Sequence, residues 1–148
     1  MKKVNLLLIG VFASTILYGQ NTNITYKVTN YSINGENYDY LALNENVSLV
    51  FYYGDNEELC FANYWRNTNS QSYGQVYALK VSDSPETRDE YATTQLKFTW
   101  YYFNTYDSKS GQAAVTITNI FIGNTIKFVG EIVVLSTNEI LTFQGYLE

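Results

Sequence analysis

From Ile24 onward the chain alternates apolar and polar residues in short runs, each closed by a cluster of Asn, Gly, Asp or Ser. A period of two marks a strand with one buried face, and the clusters carry turn chemistry. The runs are ITYKVTNYSI (24–33), VSLVFYY (47–53), LCFANYW (59–65), YGQVYALKV (73–81), LKFTWYYFNTY (96–106), AAVTITNIFI (113–122), TIKFVGEIVVL (125–135) and ILTFQGYL (140–147). Asn34-Gly35 carries the strongest hairpin signal, because both residues tolerate positive φ. Gly54-Asp55-Asn56, DSKSG (107–111) and Gly123-Asn124 are further turns. Eight or nine strands are predicted, and no long helix.

Connections this short do not suit parallel crossovers, which need a dozen or more residues. The strands should therefore pair antiparallel, neighbour to neighbour. The expected fold is all-β, an up-and-down barrel first and a two-sheet sandwich second. The strand order and number resemble the lipocalin-like barrels in layout, although no G-x-W stands near the start of the mature chain. The longest connection, SDSPETRDEYATTQ (82–95), holds the only proline. Asp83 followed by Glu86, with Pro85 between them, fits a helix start, so a helix of one or two turns capping a barrel end is expected there. The acids Asp83, Glu86, Asp89 and Glu90 lack the spacing of an EF-hand loop, and the solvated reading is preferred to a Ca²⁺ site.

Strand parity separates core from surface. Leu96, Phe98, Trp100 and Tyr102 share one face, which should be interior. Tyr101 and Phe103 share the other with Lys97 and Thr99, so these two and Tyr106 are surplus to a core. Val47, Leu49, Phe51 and Tyr53 form a second interior face, and Ile126, Phe128, Ile132 and Val134 a third. Leu59, Phe61 and Trp65 align with one amide, Asn63. In AAVTITNIFI, Val115 and Ile117 have one parity and Ile120 and Ile122 the other. A bulge near Asn119 would place all four inside.

The N-terminus changes the charge count. Lys2 and Lys3 precede an uncharged apolar run, Leu6–Leu17, and Gly19 offers a small residue for cleavage. This is the pattern of a signal peptide, and the run is shorter than the roughly 20 residues of a membrane span. Residues 1–19 are read as a leader and 20–148 as a single β domain, exported to the periplasm or secreted. The leader's YGQ ending resembles those of exported bacterial proteins. Removing 19 residues from 148 leaves 129, with 7 basic and 14 acidic side chains and a net charge of −7. Such a surface repels phosphate backbones and anionic lipid, so neither nucleic acid nor membrane is an expected partner.

The chain has no histidine and one cysteine. The Ser-His-Asp and Cys-His arrangements are excluded, as are most zinc and copper sites. No metal, cofactor or enzymatic activity is expected. Glu131 lies in a strand on the same side as Lys127, and no second acid stands out to pair with it for glycoside hydrolysis. Cys60, between Leu59 and Phe61, reads as a small buried hydrophobe. Binding is the function that remains. Tyr64, Trp65, Tyr73, Tyr101, Phe103 and Tyr106 are the candidate ligand-binding residues, because Tyr and Trp join a rigid ring to a polar tip. The ligand would be a glycan or another protein, or a small apolar molecule if a barrel cavity is lined by Trp100 and Tyr102. An inhibitor or immunity-type protein acting through a loop is the alternative. The segment RNTNSQSYGQVY (66–77) resembles, through Ser70, Ser72, Gly74 and Tyr77, the Ser-x-Ser-Gly-x-x-Tyr loop of periplasmic lysozyme inhibitors, with the spacing shifted by one and without that family's disulfides.

Overall fold

All the alternating runs become strands in the computed structural model, which describes residues 23–148. The leader reading lies outside that range. The elements are β1 (Ile24–Ile33), β2 (Glu36–Asn37), α1 (Asp39–Asn44), β3 (Val47–Tyr53), β4 (Leu59–Trp65), β5 (Ser70–Ser84), β6 (Ala92–Asn104), β7 (Lys109–Ile122), β8 (Thr125–Val134) and β9 (Ile140–Leu147). From β3 to β9 each strand pairs antiparallel with the next. β1 then pairs with β3 at one end and with β9 along most of its length, closing the ring. Among the described residues this is an eight-stranded up-and-down barrel, with β2 a two-residue extension of β1. Continuous pairing around the ring overturns the sandwich alternative.

An eight-stranded barrel leaves an interior just wide enough for side chains to fill. One parity of each strand supplies them. Phe61 sits at the centre, 5.0 Å from Phe51, 5.3 Å from Phe98 and 5.1 Å from Trp100, with tilted or edge-on rings. The Trp100 indole N–H donates to the Phe61 carbonyl at 3.0 Å, so the one polar atom of that side chain is satisfied in the core. Gly74 lies between Phe61 and Tyr102 in register. A Cβ there would stand 1.8 Å from the Tyr101 carbonyl oxygen, so only glycine lets β5 approach β6.

Two one-residue bulges adjust the interior faces, and neither is near Asn119. One falls between Val28 and Asn30 in β1, the other between Tyr77 and Lys80 in β5. Each flips the inward parity, from Val28 to Tyr31 and from Val76 to Val81. β7 keeps its register with both neighbours. Asn119 therefore points inward and is fully buried, while Ile120 and Ile122 are half-buried on the outside.

The helix expected within 82–95 is absent. Asp83 accepts a hydrogen bond from Thr94 Oγ1 at 2.9 Å, and Ser82–Ser84 pair with β6. A carboxylate used across strands cannot cap a helix. The helix that does form is α1, after the Asn34-Gly35 hairpin, whose two residues have φ of 50° and 81°. The Asp39 carboxylate accepts from the Tyr31 amide at 2.8 Å and from the side chains of Asn30 and Asn37 at 3.0 Å. These bonds turn the chain so that Ala42 is buried and Leu41 packs on the core.

Candidate functional site

The mouth of the barrel at the α1 end is ringed by α1, the β4–β5 turn, the β6–β7 turn and the β8–β9 turn. Between them lies a cleft of about 440 Å³. Inward parity places Asn63 of β4 and Ser72 of β5 one step deeper than Trp65 and Ser70. Tyr31 of β1 and Leu141 of β9 line the opposite wall, and Leu41 and Glu45 enter from the helix side. Glu139 and Tyr106 stand at the rim, Tyr106 being 87% exposed.

The aromatic part of the cleft is built on β1. Tyr31 stacks on Phe143 at 4.9 Å and meets the Trp65 ring edge-on at 5.7 Å. Burial raises the Tyr31 phenol pKa well above its ordinary value, and the negative charges of Glu139 and Tyr38 push it in the same direction. The polar part mixes hydroxyls and amides, from Thr68, Ser70, Gln71, Ser72 and Asn104, with two acceptors that stand out. Asn63 is 8% exposed, and its Oδ1 accepts no hydrogen bond from any described residue. Glu45 Oε2 is likewise buried without a donor. A buried acceptor left in this state costs about 1–3 kcal/mol, more if charged. Both residues line one cleft next to aromatic rings, and a donor that reached these closed-off atoms would satisfy them.

The six aromatic residues expected to bind fall in two places. Trp65 and Tyr106 line the mouth cleft. Tyr64 has the outward parity of β4, where its hydroxyl donates to Asn69 Oδ1 at 3.3 Å and the Arg66 guanidinium lies 6.0 Å from its ring centre. Tyr73, Tyr101 and Phe103 lie on the outside of β5 and β6. Tyr73 meets Phe103 at 6.1 Å, and Tyr77 meets Tyr101 at 4.7 Å, both edge-on. Trp100, in the core, and Tyr102, packed against it, meet at 5.0 Å with their rings tilted by 41°, and neither lines the cleft. The segment expected to project as a loop is mostly strand: residues 70–77 belong to β5, with Ser72 and Gly74 turned inward and Tyr77 outward. Cys60 is a buried free cysteine on the outer parity of β4. Burial first, then the Glu58 carboxylate, raises its thiol pKa. Its neighbour Tyr52 is pushed up to about 12, chiefly by burial.

Tyr31, Glu45, Asn63 and Glu139 are among the cleft residues that sequence patterning did not single out. Only Asn63 left a signal, as the amide aligned with Leu59, Phe61 and Trp65. Among the described residues no three His, Cys, Asp or Glu side chains cluster closely enough to hold a metal. No described helix is long and apolar enough to cross a membrane. No family model, curated protein or solved structure matches the chain.

Proposed function

We propose that the protein is an exported, non-enzymatic binding module whose barrel mouth takes a small hydroxyl- or amine-bearing ligand of the saccharide class. The observation that carries this reading is the pair of buried donorless acceptors, Asn63 Oδ1 and Glu45 Oε2, on two residues that line a concave cleft with Trp65. Saccharides present hydroxyls that both donate and accept, and apolar C–H faces that lie against aromatic rings, and the cleft lining offers polar and aromatic complements to them. The wall supports a water-facing role. Lys80, Lys97, Lys127 and Glu131 are exposed on the outside while apolar residues fill the inside, the reverse of a lipid-facing barrel. Titrating a panel of oligosaccharides against tryptophan fluorescence tests the reading. Binding should change the Trp65 signal and vanish in Trp65→Ala; a panel without effect on Trp65 would sink it.

The outer aromatic group supports a second reading, an inhibitor or immunity-type protein that meets another protein through β5 and β6. Tyr73, Tyr77 and Tyr101 are all exposed there. Tyr73→Ser with Tyr101→Ser should abolish capture of such a partner and leave saccharide binding at the mouth intact.

A further inference from the structure

The two buried acceptors do not specify the charge of what they bind; the rest of the cleft does. Among the described residues lining it, the charged ones are Glu45 and Glu139, and no Lys or Arg stands with them. The bases at this mouth are Lys109, which pairs with Asn104, and Arg66, which follows Trp65 and lies over the outward-facing Tyr64 ring, and neither lines the cleft. An anionic ligand would meet two carboxylates and no cation. A neutral sugar would satisfy the hydrogen bonds and leave both negative charges uncompensated. A primary ammonium has three donors and no acceptor. It matches Glu45 Oε2 and Asn63 Oδ1 as acceptors and the Trp65 and Tyr31 rings as cation-attracting faces. Glu139 lines the same cleft at its rim, with Tyr31, so a second carboxylate borders the space. The net charge of −5 over the whole chain adds a long-range pull on cations.

We infer that the mouth cleft selects a ligand carrying a primary ammonium group, such as an unacetylated amino sugar, seated between Glu45 and Asn63 against Trp65. The inference rests on the mouth being the binding site. The test separates the two. Calorimetric titration of the purified protein compares the β-1,4-linked glucosamine tetramer with cellotetraose at mildly acidic pH, where the sugar amines are protonated. The two probes share a skeleton and differ at C2, ammonium against hydroxyl. The amine tetramer should bind at least roughly tenfold more tightly, an advantage that shrinks at high salt. Glu45→Gln, which keeps the shape of the side chain but removes its charge, should erase most of that advantage by weakening the amine tetramer far more than cellotetraose. Thermal melting establishes that the variant is folded. Equal affinities for the two probes, both lost in Trp65→Ala, would leave the mouth as a saccharide site and overturn the ammonium inference. Amine binding that survives both Trp65→Ala and Glu45→Gln would be diffuse charge attraction and would overturn inference and site together. The same holds if neither probe binds.

Discussion

Trp65 and Trp100 both have inward parity, in β4 and β6, yet they report on different places. Trp100 is 3% exposed, with its N–H on the Phe61 carbonyl, whereas Trp65 is half-buried at the cleft. Iodide should therefore quench Trp65 and leave Trp100 shielded, and Trp65→Phe assigns the two signals. Equal quenching would contradict the packing described. Trp100→Phe removes the indole donor and its hydrogen bond to the Phe61 carbonyl and leaves a void. The expected loss is about 1–3 kcal/mol in urea unfolding, with ligand binding at the mouth unaltered. Asn63 is the instructive residue for the site. Its sequence position told of an amide on an apolar face, and such an amide either finds a partner or awaits one. Glu45 gave no such sign, because a polar residue next to a turn has no parity to violate.

At the level of elements, the strands were legible wherever alternation met turn chemistry, as at Asn34-Gly35 and Gly123-Asn124. Long-range pairing decided the rest. Six residues of DYLALN are too few to show a helical period, and α1 exists because Asp39 gathers donors from Tyr31, Asn30 and Asn37. Asp83 looked like a helix cap and became a cross-strand acceptor for Thr94. The β5 bulge includes Ala78 at a φ of 53°, a conformation that alanine does not advertise in sequence. Asp39 yields a prediction at this scale. The Tyr31 amide first, then the two asparagine side chains, hold its carboxyl below the ordinary aspartate range. A lowered folded pKa means that the stabilising contribution is present above the unfolded pKa and is lost as pH falls through the folded one. Asp39→Ala should fray α1 at every pH, seen as faster amide exchange over residues 39–44, and should weaken ligand binding through Glu45. Unchanged exchange would show that α1 is held by Leu41 and Ala42 alone.

The whole molecule carries its titration risk in tyrosine. Burial raises the pKa of Tyr26 and Tyr31 far above 10.0 and that of Tyr52 to about 12. A phenol whose folded pKa exceeds its unfolded value contributes stability that is intact below the unfolded pKa and lost as pH climbs through the folded one. Stability should thus hold steady to about pH 10 and fall steeply above it. Phenolate absorbance of the buried tyrosines should appear together with loss of the far-ultraviolet strand signal. Tyr31→Phe should move the alkaline midpoint upward; an unmoved midpoint would place the weak point elsewhere. The closure of the barrel has a separate consequence. β1 lies against β9, and the Glu148 amide donates to the Thr25 carbonyl at 2.9 Å, so the two ends of the described chain are neighbours. A ring of hairpins has no privileged starting strand. Joining residues 23 and 148 by a short linker and opening the chain at the exposed turn 55–57 should give a circular permutant with the same barrel and the same ligand preference. The order of synthesis would change, and the architecture would not.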